Sequence, residues 1–217
     1  MDATADDPGR ILLINKPLQW TSFDVVNKLR HKLKIKKIGH AGTLDPLATG
    51  LLIICVGKMT KRIEEFMGQE KEYTGKLVIG QTTVSHDLET SVTGQKDISN
   101  VNNDLINLTA AGFVGNISQL PPQHSAIRIK GRRAYEFARE GKEIELKHRD
   151  VTVKEFEITR INLPEISFRI VCSKGTYIRS LVRDFGDQLQ VGAYLSELCR
   201  TRIGDFRLED AITVDQC

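Results

Sequence analysis

The segment from Gly39 to Leu52, Gly-His-Ala-Gly-Thr-Leu-Asp-Pro-Leu-Ala-Thr-Gly-Leu-Leu, sets one carboxylate, Asp45, and one histidine, His40, among three glycines. Glycine tolerates backbone angles closed to other residues, so such a loop can fold tightly and let a ligand approach its backbone. Pro46 biases Asp45 toward extended angles, which presents the carboxylate from a stiff turn. A lone Asp-Pro is ordinary turn chemistry, with the aspartate bonding its own backbone. A carboxylate held this way can also act as a nucleophile, as in glycosidases. A second chemistry-bearing string is Cys172-Ser-Lys-Gly-Thr-Tyr-Ile-Arg179 at the end of an apolar run. Leu181, Phe185 and Leu189 continue it as the apolar stripe of a helix beginning near Thr176, which puts Tyr177 and Arg179 in the first turn. An arginine there gains nothing from the helix dipole, so a nearby carboxylate partner is expected. His86-Asp87 has the look of half a hydrolase triad, but no serine or cysteine stands in a nucleophile setting.

Elements must position these groups. Ile11–Ile14 reads as a buried strand ending at Asn15-Lys16-Pro17, and Leu51–Val56 as a central strand behind the Asp45 loop. Thr21 and Asp24 have capping-box spacing ahead of a helix with apolar positions Phe23, Val26, Leu29 and Leu33. A basic tract, Lys28, Arg30, His31, Lys32, Lys34, Lys36 and Lys37, runs from this helix into the loop. Thr60–Met67 predicts a short helix. Tyr73, Leu77 and Ile79 fall on one face of the next strand. Gly94–Asn103 is polar and loop-like. Leu105, Leu108 and Phe113 predict a helix ending near Gly112 or Gly115. From Ile127 to Gly141 the pattern is a strand, a basic turn and a short helix closed by Gly141. Alternation predicts strands at Val151–Ile161 and Ile166–Cys172.

Taken together these strings resemble the TruB-type tRNA pseudouridine synthases. The family's catalytic loop, G-H-x-G-x-L-D-P-x-A-x-G-x-L, is present in every letter at 39–52. The family's C-S-x-G-T-Y-I-R is present at 172–179, and its G-A-x-x-x-x-L-x-R element at 192–200. Leu120-Pro-Pro-Gln-His-Ser-Ala126 is similar to its Q-x-P-P-x-x-S-A element, and 80–87 to its G-x-x-T-D-T-x-D segment, with Val84 in place of the first aspartate and Ser85 in place of a threonine. The resemblance implies that Asp45 is the nucleophile, that Tyr73 stacks on the target base, and that Arg179 is the counter-ion of Asp45, held in turn by Asp87. It further implies that His40, Tyr177 and Leu198 line the base pocket, that Lys16, matching a family lysine after the first strand, binds substrate, and that Lys130 and Arg132 belong to an RNA-binding arm at about 123–150. The implied fold is α+β, with a mixed, mostly antiparallel sheet flanked by helices and the active-site cleft across it. The implied organisation is a disordered tail at 1–10 and one catalytic domain at 11–217, a short form without a C-terminal PUA-type domain.

Composition agrees with an enzyme of this kind and excludes others. With 31 basic and 28 acidic residues, a net charge of +3 does not announce a nucleic-acid binder, so any RNA site must come from local clustering. The four cysteines form no C-x-x-C pair, which favours reduced thiols in a cytoplasmic protein over a disulfide framework or a metal site. The amino end is unlike a signal peptide, and no apolar run has membrane-spanning length. Isomerising uridine oxidises nothing and imports no group, so no cofactor is expected, in keeping with the lack of a phosphate-binding glycine motif. The expected partner is the T-arm of tRNA, bound by a monomer that needs no protein partner. Two alternatives stay open: a guide-RNA-dependent subunit acting on ribosomal RNA, and a tRNA-folding helper with little catalysis.

Overall fold

The structure, a computed structural model, describes residues 9–125, 127–129, 131–142 and 144–217. Most of the expected tail, and Lys130 of the expected arm, lie outside the described residues. In chain order the elements are β1 (Arg10–Lys16), α1 (Ser22–Leu33), β2 (Ile38–Ala41), β3 (Ala48–Val56), a 3-10 turn (Gly57–Arg62), α2 (Ile63–Gly68), β4 (Lys71–Ile79), β5 (Gln81–Thr83) and β6 (Val92–Gln95). There follow α3 (Asn103–Gly112), β7 (Gly115–Gln119), β8 (Arg128–Ile129), β9 (Arg132–Arg133), α4 (Ala134–Arg139), β10 (Arg149–Asn162), β11 (Glu165–Cys172), α5 (Ile178–Gln188), β12 (Ala193–Ile203) and β13 (Phe206–Arg207). The expected α+β class with a mixed, mostly antiparallel sheet is what the chain adopts: β12 runs parallel to β3, and β1/β3, β2/β3, β12/β13, β10/β11 and β7/β10 are antiparallel. No helix among the described residues is long and apolar enough to cross a membrane.

The described residues form two compact units, one comprising the chain up to Thr74 with Glu197–Cys217, the other Gly75–Ser196. Strands β4 and β12 each begin in one unit and end in the other.

The first unit is built on β3. One edge of β3 pairs along its length with β1, from Arg10↔Val56 to Lys16↔Gly50. The other edge is shared: β2 covers Ile53–Val56, and the end of β12 covers Ala48–Gly50. The two faces of β3 are buried in different clusters, which is why its apolar run is continuous rather than alternating. Leu52, Ile54 and Val56 pack with Ile14, Val25, Val26 and Leu29 beneath α1. Leu51, Ile53 and Cys55 pack with Ala41, Phe66 and Ile203 on the opposite face. Helix α1 starts with the expected capping box, Thr21 and Asp24 satisfying each other's backbone N–H. Its buried stripe is Val25, Val26 and Leu29, whereas Phe23, expected inside, is 58% exposed and lies under the Arg30 guanidinium.

The second unit contains β7, β10 and β11 as an antiparallel set, with an aromatic core of Phe113, Phe156, Phe168 and Phe185 at centroid separations of 5.6 to 6.4 Å. Helix α3 ends at Gly112 as expected but on the other face: it buries Ile106, Thr109 and Ala110, and leaves Leu108 72% exposed. Of the stretch expected to be loop, Gly94–Asn103, the first two residues belong to β6, which pairs with β5.

Candidate active site

Between β2 and β3 the chain leaves the sheet for six residues, Gly42 to Leu47, and Asp45 stands at the middle of this excursion. The loop is braced from several directions within the first unit. The buried Ser22 hydroxyl, at the start of α1, accepts from Leu44 N at 2.9 Å and donates to Leu44 O at 3.2 Å. Asp45 O accepts from Ala48 N at 3.0 Å, closing the Asp-Pro turn, and Pro46 O accepts from Gln19 N at 2.8 Å. Arg200, on β12, donates to Leu51 O at 2.8 Å and to Gly42 O at 3.1 Å, so one buried guanidinium ties the loop to the strand behind it. Gly50 makes this approach possible: its φ is +101°, and a Cβ there would lie 2.4 Å from Arg200 O.

Lys16 is fully buried at the end of β1, and its ammonium donates to Pro17 O at 2.9 Å, Trp20 O at 2.5 Å and Pro46 O at 3.4 Å. Burial pulls its pKa down to about 8; the Asp45 carboxylate opposes that fall, and Arg200 adds to it. The Asp45 carboxylate and the Arg200 guanidinium are thus both close enough to act on Lys16. Arg200 appears in the sequence only as the last letter of a motif; that it braces the Asp45 loop depends on β12 pairing with β3 across about 150 residues of chain. Ser22 reads there only as a helix-start residue.

The remaining first-unit residues are His40, half-buried on β2 opposite Ile54, Tyr73, buried on β4, and Leu198, half-buried on β12 opposite Ala48. Although the sequence suggests a turn for Gly39–Ala41, these residues are strand.

The second unit holds the arginine. Its strand-to-helix turn follows the expectation, with Tyr177 as the N-cap of α5 and Arg179 in the first turn. Arg179 and Asp87 are nearly buried, 4% and 7% exposed at the side chain, and Arg179 Nε lies 3.5 Å from Asp87 Oδ2. The rest of the guanidinium donates to Ser85 O at 3.2 Å and His124 O at 2.7 Å. Asp87 is itself fixed by accepting from Glu89 N at 2.9 Å. The carboxylate partner predicted for Arg179 is therefore present. Tyr177 is held through its backbone: Gln119, fully buried at the end of β7, accepts from Tyr177 N at 2.8 Å and donates to Tyr177 O at 3.1 Å. The Arg149 guanidinium stacks over the Tyr177 ring at 5.2 Å. His86, beside Asp87, adopts φ +61°. Burial pushes its pKa down to about 4, and the positive charges of Arg183 and Arg179 push the same way. Arg132 is exposed, lies over Phe137 at 4.5 Å, and pairs with Glu136 and Glu140.

Solved structures share this framework. A chain of a Cbf5-Nop10-Gar1 complex matches with a TM-score of 0.74 and 32% identity over 95% of this chain and 54% of that one. A chain of an H/ACA RNP bound to a substrate RNA containing 2'-deoxyuridine matches with 0.71 and 29%, over 95% and 51%. This chain spans about half the length of those two. The class is set by the family model that fits residues 30–178, which describes the N-terminal domain of pseudouridylate synthases. Within it, the chain belongs to the TruB family. Full-length relatives are much more similar than the solved structures. The tRNA pseudouridine synthase B of Flavobacterium johnsoniae is 55% identical over 213 residues, 95% of this chain and 93% of that protein. That of Phocaeicola vulgatus is 51% identical, over 95% and 91%, and that of Chlorobium chlorochromatii 46%, over 97% and 85%.

Proposed function

We propose that the protein isomerises the T-loop uridine at position 55 of tRNA to pseudouridine, as a monomer that needs neither guide RNA nor cofactor and works in the cytoplasm. The observation that carries this reading is the near end-to-end likeness to enzymes named tRNA pseudouridine synthase B, combined with an intact Asp45 loop braced by buried side chains. The reaction breaks the bond between ribose C1′ and uracil N1, turns the base, and joins C1′ to C5; the C5 proton is then lost and N1 gains one, so the product is an isomer. Asp45 attacks the nucleotide, holds one fragment through the turn, and is released as a free carboxylate when its bond to that fragment breaks. Arg179 serves as its counter-ion, and Asp87 keeps Arg179 in register.

A uridine inside a folded RNA loop must be extruded first, at about a few kcal/mol. Stacking on Tyr73 offsets about 1–3 kcal/mol of that. His40 occupies the space the base leaves, Tyr177 and Leu198 line the pocket, Lys16 holds the Asp45 loop, and Arg132, with Lys130, contacts the RNA backbone from the arm. Purified protein incubated with an unmodified tRNA transcript is expected to yield pseudouridine at the T-loop uridine, read by carbodiimide-primer extension. Asp45→Asn is expected to bind the same tRNA and to give no product. Product only on addition of a guide RNA, or full product from the variant, would refute the proposal.

A further inference from the structure

The strongest concentration of charge outside the site lies between Asp24 and Asp45. Those twenty positions hold six lysines and arginines and no aspartate or glutamate, twice the net charge of the whole chain. Part of this has a local cause: Arg30, His31 and Lys32 sit in the last turn of α1, where cations are favoured by the helix dipole. Lys32 is also occupied, donating to Asp215 O at 2.6 Å. Lys28, Lys34, Lys36 and Lys37 have no such explanation. All four are exposed, and none has an ion-pair partner among the described residues.

The fold brings Lys34, Lys36 and Lys37 to one edge with a further cation. Lys34 closes α1 in the left-handed conformation, φ +55°, which turns the chain so that Lys36 and Lys37 lead directly into β2. Lys37 O accepts from Gly57 N at 2.8 Å, and Ile38 lies opposite Val56. The exposed Arg10 lies opposite Val56 on the other edge of β3. Arg10 and Lys37 therefore flank the same end of β3, about 10 Å apart across two strand spacings. The Asp45 loop is at the other end: Lys16, which touches Pro46 O, is six residues from Arg10 along β1, a run of about 20 Å.

We infer that this surface, formed by Arg10, Lys34, Lys36 and Lys37, binds the phosphate backbone of the RNA outside the loop that carries the target uridine. The inference rests on the RNA-modifying function proposed above. Backbone binding needs cations spaced along a surface, with no fixed hydrogen-bond geometry, and long exposed lysines supply that without base specificity. An offset of about 20 Å from the nucleophile suits a stem, not the flipped nucleotide.

The test is the triple variant Lys34→Gln/Lys36→Gln/Lys37→Gln, with unchanged circular dichroism as the folding control. Binding of tRNA is followed against salt, and turnover is measured on full-length tRNA and on a minimal T-loop hairpin with a short stem. The slope of log K on log salt is expected to fall by about 2 to 3. KM for full-length tRNA should rise with kcat unchanged, and KM for the minimal hairpin should stay as in the wild type. An unchanged salt slope and KM would overturn the inference, and so would an equal loss on both substrates, which would place the contact at the loop itself. Wild-type protein that binds tRNA but converts neither substrate would sink the proposed function instead, and the salt slope of binding would still decide the role of the surface.

Discussion

His86 shows how one partly buried ring makes stability depend on pH. Its folded pKa of about 4 lies below the ordinary value of 6.5, so between these values the unfolded chain holds a proton that the folded chain has shed. Stability therefore falls as pH drops from 6.5 toward 4, by up to about 3 kcal/mol, and the term is absent at neutral pH where both states are neutral. His86→Asn keeps a side chain suited to φ +61° and removes the titration. The variant's thermal midpoint is expected to fall less than the wild type's between pH 6.5 and 4.5; parallel decline would assign the acid sensitivity to other groups. This residue also marks a limit of sequence reading. The Asp45 string was legible because its residue types and their spacing carry the loop, and Arg179 because a first-turn arginine calls for a carboxylate. Nothing local distinguishes His86 or Ser22 from surface residues; their burial comes from distant parts of the chain.

Among the elements, the joint between β7 and α5 is the most specific. The Gln119 amide does for Tyr177 what a neighbouring strand's backbone would, giving one donor and one acceptor to the same residue, and α5 has no side-chain cap of its own at Tyr177. Gln119→Glu keeps the shape and loses the donor, leaving Tyr177 O facing a carboxylate. A cost of about 1–3 kcal/mol in chemical denaturation is expected, together with a lower kcat, because Arg179 follows Tyr177 by two residues. Stability within experimental error of the wild type would show that the joint is dispensable. Elements with a single strong signal matched their expectation: the capping box of α1, the alternating β10 and β11, and the stripe of α5. Helix α3 did not, because leucines at 105 and 108 outweigh Ile106 and Ala110 in a hydrophobic count, while the core needed the smaller face. The β5–β6 pair was equally hidden, since three- and four-residue strands carry too few positions to show a period.

At the scale of the whole molecule, the second unit is one continuous stretch, Gly75–Ser196, set between the two pieces of the first. Short-range patterns revealed the pieces, but the pairing of Leu198–Arg200 with Ala48–Gly50 has no signature in either segment. Ending the chain at Ser196 would remove the strand that covers one edge of β3 at Ala48–Gly50, together with Arg200 and its bonds to Gly42 O and Leu51 O. In limited proteolysis, such a truncated chain is expected to be cut within 38–56 under conditions where the intact chain resists. Resistance in that segment would mean that β1, β2 and β3 hold the loop unaided.

That long reach of Arg200 has a consequence for the order in which the chain is made. The aspartate loop emerges from the ribosome first, and the guanidinium that braces it follows 155 residues after Asp45. Until β12 is made, a nascent chain carries the Asp45 loop without the bonds from Arg200 to Gly42 O and Leu51 O. Interrupted translation therefore leaves fragments that hold the aspartate loop without the side chain that ties it to β3.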